Sequence, residues 1–138
     1  VLPSNKAQGY VLRRLVRRSL LYGRKLGLTS DLTYIGKLVV PVARIYAEAY
    51  PQTLAKAKEI ELILQEEALR FSKTLERGLS EIEKLSVIDG KNAFKLYETY
   101  GFPREMTEEI AREKGQEVDR QQFAAEFKKH EDLSRDSI

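Results

Sequence analysis

The sequence has 138 residues, 42% of them hydrophobic and 33% charged, which is enough for one domain with a real core and excludes compositional disorder. With no cysteine and a single histidine, His130, it excludes a disulfide framework, a cysteine nucleophile and a cysteine- or histidine-based metal cluster. The net charge of +3 is unevenly shared. Residues 1–50 hold nine Lys and Arg against two acids, Asp31 and Glu48, whereas residues 51–138 hold fifteen against nineteen, so a polyanion is expected to face the first part.

No apolar run approaches the roughly 20 residues needed to cross a bilayer. The opening VLPSNKAQGY also lacks the basic-then-apolar order of a signal peptide, so a cytoplasmic protein without a membrane partner is expected. The start on Val1 and Leu2, without an initiator methionine, predicts a piece of a longer protein.

From Gln8 to about Leu26 the pattern is helical, with Leu12, Leu15, Val16, Ser19, Leu20 and Tyr22 on one side and Arg13, Arg14, Arg17, Arg18, Arg24 and Lys25 on the other. Gly23 and Gly27 mark its frayed end. Ser30 or Asp31 is the expected N-cap of a second helix carrying Leu32, Ile35, Leu38 and Val39. Pro41 predicts a kink or break in that helix, and Pro51 closes the segment. From about Thr53 to Leu85 the residues Ile60, Leu64, Ala68, Phe71, Leu75, Gly78, Ile82 and Leu85 alternate steps of four and three, which predicts one long helix packed along its length. Charges such as Glu59, Glu66, Lys73, Glu76 and Glu83 fill its other positions.

Asp89-Gly90 predicts a turn, followed by a short helix through Ala93, Phe94, Leu96 and Tyr97 that ends at Gly101 before Pro103. Thr107 with Glu108 and Glu109 reads as the start of another helix, stopped by Gly115. Asp119 and Gln122 resemble a capping box for a last helix carrying Phe123 and Phe127. Glu117-Val118 has room for a short bridge at most. The fold class is all-α over residues 1–138, with two lobes, about 1–88 and about 89–130, as the permitted subdivision.

The run Arg13-Arg14-Leu15-Val16-Arg17-Arg18 has a bland reading as a solvated helix face and a functional one as a stripe of forked phosphate donors. Composition divides about evenly between them, and the charge imbalance tilts toward RNA. Tyr97 and Tyr100, beside Phe94 and Phe102, have the rings to stack on splayed nucleotides, although Phe94 and Tyr97 fit a core better. The acid pairs Glu66-Glu67 and Glu108-Glu109 read as solvated, since no His, Lys or Ser pattern accompanies them. No phosphate-cradling glycine loop, nucleophile elbow or metal-ligand spacing is present, so catalysis within the segment is not expected.

Three strings carry a family resemblance: PSNKAQGYVLRRLVRR at 3–18, EEALRFSKTLERGL at 66–79 and AFKLYETYGFPREMTEEIA at 93–111. In order and spacing they resemble the helical middle region of alanyl-tRNA synthetases, in which these blocks follow the class II catalytic core. The tail KKHEDLSRDS is similar to the stretch that leads toward the editing domain. The resemblance implies a tRNA-recognising segment of an alanine-tRNA ligase that lacks catalytic activity by itself and needs no cofactor. ATP and magnesium would serve the upstream catalytic domain, and zinc the downstream editing domain. Its implied partners are those two domains and the acceptor stem of alanine tRNA.

The resemblance further implies that the segment checks the third base pair of that stem, a G·U wobble. The two family readers are the Asn of PSN and the Asp of L-Y-D-T-Y-G, which fall here on Asn5 and on Glu98. Glu98 is one methylene longer than the usual Asp, a change of about 1.5 Å in reach. The backbone grip is expected from Lys6, Arg13, Arg14, Arg17, Arg18, Arg24 and Lys25, with Tyr100 as a further RNA contact. Ala7-Gln8 replaces the family's common Gly-Arg and removes one positive charge. The competing reading is a helical protein-protein scaffold that uses the 53–85 helix as a coiled-coil seam.

Overall fold

A computed structural model describes residues 1–29 and 31–136. Among them it shows eight α-helices and no strand, which makes the chain all-α. The helices are α1 (Ala7–Lys25), α2 (Tyr34–Lys37), α3 (Val39–Ile45), α4 (Pro51–Ala55), α5 (Ala57–Glu83), α6 (Gly90–Tyr100), α7 (Arg104–Glu113) and α8 (Arg120–Asp136). Two compact units result, Val1–Lys73 and Thr74–Ile138, so the division falls inside the long helix α5, whereas the sequence pattern placed it at the Asp89-Gly90 turn.

In the first unit, Val16, Leu20 and Leu21 of α1 are buried together with Ile35, Val39, Ala43, Ala57, Ala68 and Phe71. Gly23 is not a frayed end: it lies buried inside α1, where the Tyr34 ring packs on it and the Tyr34 hydroxyl donates to the Ser19 carbonyl at 3.3 Å. Leu15 and Tyr22, expected on the inner side, are 56% and 38% exposed. Arg13 and Arg17, expected on the outer side, are instead largely buried, with 16% and 27% of their side chains exposed.

Pro41 acts as its chemistry requires. It has no N–H for the carbonyl of Lys37, and the helix breaks at Leu38, between α2 and α3. Pro51 ends the preceding segment and also opens α4 at the first helical position, where its missing donor costs nothing. A turn at Lys56, with neither Gly nor Pro to announce it, delays the long helix to Ala57. Thr33 is the N-cap of α2 and makes no side-chain cap bond. Asp31 instead accepts from the Thr33 N–H at 2.9 Å and from Lys37 Nζ at 2.8 Å. Lys37, then Thr33, lowers the Asp31 pKa to about 2, so this contribution is intact above the ordinary carboxylate range and fades as pH falls toward 2. The alternative cap, Ser30, lies outside the described residues.

The seam expected along α5 is buried at Ala68 and Phe71 in the first unit and at Leu75, Gly78 and Ile82 in the second, while Glu59, Glu66, Lys73, Glu76 and Glu83 are exposed. In the second unit, Asp89 caps α6 by accepting from the Asn92 N–H at 2.8 Å. The helix ends at Gly101, whose φ of 67° allows the Phe102 N–H to reach the Leu96 carbonyl and the Gly101 N–H to reach that of Tyr97. Thr107 does not start α7. Pro103 is the N-cap and Thr107 lies fully buried in the helix interior, because the extended Pro103 already launches the first turn at Arg104.

Only half of the expected capping box forms at α8. Asp119 accepts from the N–H groups of Gln121 and Gln122, but the Gln122 side chain turns to the Lys91 N–H at 3.2 Å. Glu117-Val118 is loop, and the neighbouring Gln116 side chain bridges to the backbone of Ser86 and Ile88.

Ala7 enters α1 with a φ of 47°, in the left-handed region that L side chains disfavour, at the position where the related block has glycine. Ala7→Gly is therefore expected to stabilise the chain by about 1 kcal/mol, read as a higher melting temperature. An unchanged or lower melting temperature would show that Ala7 carries no strain.

Candidate nucleic-acid interface

In the first unit, residues Pro3-Ser4-Asn5 fold back over the start of α1. The Ser4 N–H donates to the Gly9 carbonyl at 3.1 Å, and the Ser4 hydroxyl donates to the Lys6 carbonyl at 3.0 Å. Only glycine allows this approach at position 9, since a Cβ there would stand 2.1 Å from Ser4 Oγ and 2.5 Å from the Leu2 carbonyl oxygen. Asn5 is exposed and does not cap α1, whose N-cap is Lys6 without a side-chain bond. Its side-chain oxygen accepts from Arg13 Nη1 at 2.5 Å.

The arginine run divides between two faces of α1. Arg13 has 16% of its side chain exposed, and its Nε lies 2.6 Å from Glu67 Oε1. Its Nη2 donates to Glu67 Oε2 at 3.3 Å and to the Pro3 carbonyl at 3.4 Å. Arg17 stands 3.9 Å from the same carboxylate and 4.6 Å over the Phe71 ring. Glu67, on α5, is buried with only 5% exposed. A buried carboxylate requires such partners, and this requirement draws two arginines of the supposed outer face inward.

Arg14 and Arg18 lie exposed on α1, as does Lys6 at its start. Arg18 sits 5.7 Å over the Tyr22 ring and Lys25 stands 4.9 Å from it. Arg24 is half-buried, and with Lys25 it occupies the last turn of α1, where positive charge favours the helix dipole.

In the second unit, Glu98 is exposed in the last turn of α6, and its Oε1 lies 3.0 Å from His130 Nδ1 of α8, an ion pair when His130 is protonated. His130 also meets the Phe94 ring, with centroids 5.9 Å apart. Phe94, Tyr97, Phe123 and Phe127 form one aromatic cluster, with Phe94 buried and Tyr97 42% exposed. Tyr100 is half-buried at the end of α6.

Sequence reasoning missed Glu67 and His130. A glutamate beside an apolar seam reads as solvated, and a lone histidine carries no pattern. Among the described residues no group of three or more His, Cys, Asp or Glu side chains has the arrangement to hold a metal ion, and no helix is long and apolar enough to cross a membrane.

The chain is similar to known proteins over its whole length. Residues 1–138 match the family of class II (A) tRNA synthetases. The chain is 44% identical to an alanine-tRNA ligase of Streptococcus sanguinis, 40% to one of Streptococcus thermophilus and 38% to one of Streptococcus pyogenes. In each comparison 99% of the chain is covered, and the chain spans 16% of the relative's length.

Proposed function

Because the chain belongs to the alanyl-tRNA synthetase family of class II enzymes, we propose that it forms the segment of a cytoplasmic alanine-tRNA ligase that grips the acceptor stem of alanine tRNA and reads its G·U wobble pair. The observation that carries the reading is the arrangement at the start of α1. There an exposed amide, Asn5, is anchored beside a helix whose Arg14 and Arg18 are exposed. A wobble pair presents guanine's exocyclic amine in the wide, shallow minor groove of A-form RNA, where an amide oxygen or a carboxylate can accept from it. Asn5 offers the first kind of acceptor and Glu98 the second. ATP and magnesium chemistry, and editing with zinc, are proposed for parts of the protein outside these residues.

On this reading Arg14 and Arg18, with Lys6, bind phosphates without reading sequence, and Tyr100 is a further contact. Replacing Arg14 and Arg18 with Ala should weaken binding to G·U and G·C acceptor-stem minihelices about equally. It should also flatten the dependence of log K on log salt by roughly one unit per lost contact. A loss confined to the G·U minihelix would make these arginines base readers instead. The seam from Ala68 to Ile82 is buried within the units, so a coiled-coil partner would have to use Leu62 and Leu69 instead, which are 55% and 65% exposed.

A further inference from the structure

We propose that Arg13, clamped by the buried carboxylate of Glu67, is a positioning residue for the Asn5 amide, so that helix α5 fixes the orientation of the group that reads the wobble pair. The inference rests on the reading of Asn5 as an acceptor for guanine. The guanidinium is planar and donates from two edges in fixed directions. In Arg13, Nη2 donates to Glu67 Oε2 and to the Pro3 carbonyl, with Nε in ion-pair range of Glu67 Oε1 but donating no hydrogen bond, while Nη1, on the second edge, turns to the amino-terminal segment and donates to Asn5 Oδ1.

Neutralising Glu67 would not by itself require the second edge, since Arg17 also approaches that carboxylate. The second edge gives the exposed Asn5 the one side-chain hydrogen bond it makes among the described residues. An exposed asparagine without such a bond moves among rotamers. With it, one lone pair of Oδ1 is taken and the other keeps a fixed direction, available to an amine donor. The clamp joins residues 54 positions apart in the chain, so the reader's geometry depends on the packing of α1 against α5 within the first unit.

The test measures binding of this chain to two acceptor-stem minihelices that differ only in G·U or G·C at the third pair. Arg13→Lys keeps the charge beside Glu67 but cannot bridge both edges. The double change Arg13→Met with Glu67→Leu removes the clamp without leaving the buried carboxylate unpaired, and Arg17 keeps its place over the Phe71 ring. Each is expected to lower the G·U over G·C affinity ratio by about tenfold, and neither should lower it further in an Asn5→Ala background. In the unsubstituted chain the Asn5 side-chain amide should be ordered by NMR relaxation.

A ratio unchanged in either folded variant, while Asn5→Ala still lowers it, would overturn the positioning role and leave Asn5 as a reader. So would an Asn5 amide order parameter below about 0.6. If Asn5→Ala itself left the ratio intact, the reading of Asn5 would fail, and the positioning role with it.

Discussion

Phe102→Ala is expected to cost about 3–5 kcal/mol of stability, the range for emptying a fully buried aromatic site. Phe102 has no exposed surface. Its ring lies against α5 at Gly78, so close that a Cβ there would stand 1.9 Å from Phe102 Cδ2 and 2.5 Å from Cε2. Its N–H also closes the end of α6 on the Leu96 carbonyl. Because the ring has nowhere to move, Gly78→Ala should destabilise as well, despite alanine's better helix propensity. Denaturant unfolding of the chain provides the measurement, and a loss under about 1 kcal/mol for Phe102→Ala would show that the site collapses freely. Glu98 lies on the helix that Phe102 closes, so the stability of this joint is a condition for any role of that carboxylate.

Asn5→Ala and Glu98→Ala should each reduce discrimination between G·U and G·C minihelices by roughly 1–3 kcal/mol, while phosphate-driven binding to the G·C stem stays nearly unchanged. The two residues lie in different units and have different anchors: Arg13 for Asn5 and His130 for Glu98. Glu98→Asp restores the usual family side chain and draws the carboxylate back by about 1.5 Å. Equal or better discrimination is expected from it. If Glu98→Ala left discrimination intact while Asn5→Ala abolished it, the carboxylate would be a partner of His130 and nothing more.

Much of this arrangement is legible in the sequence because it follows from local chemistry. The four-and-three spacing from Ala68 to Ile82 places those residues on one face of a helix, and they are the buried ones. Asp89, Gly101 and Pro103 mark the ends of α6 and the start of α7 through a cap, a left-handed φ and a fixed φ. What stays hidden depends on partners distant in the chain. Arg13 and Arg17 read as solvated until Glu67 is known to be buried beneath them, and Gly23 reads as a fraying point until Tyr34 is known to pack there. Likewise Gln122 completes a capping box by spacing alone, yet the Lys91 N–H, 31 residues away, takes its side chain. The division of the α1 arginines between an anchor for Glu67 and an exposed face is therefore not readable from the sequence.

The most direct measurement of the central claim is the affinity of this chain for the G·U and G·C minihelices across a salt titration. The proposed reading predicts that both affinities fall steeply and in parallel as salt rises, because phosphates supply most of the binding. It also predicts that the G·U stem remains tighter by roughly 1–3 kcal/mol at every salt concentration, because that margin comes from base contacts. Equal affinity for the two stems, or binding that does not respond to salt, would contradict it.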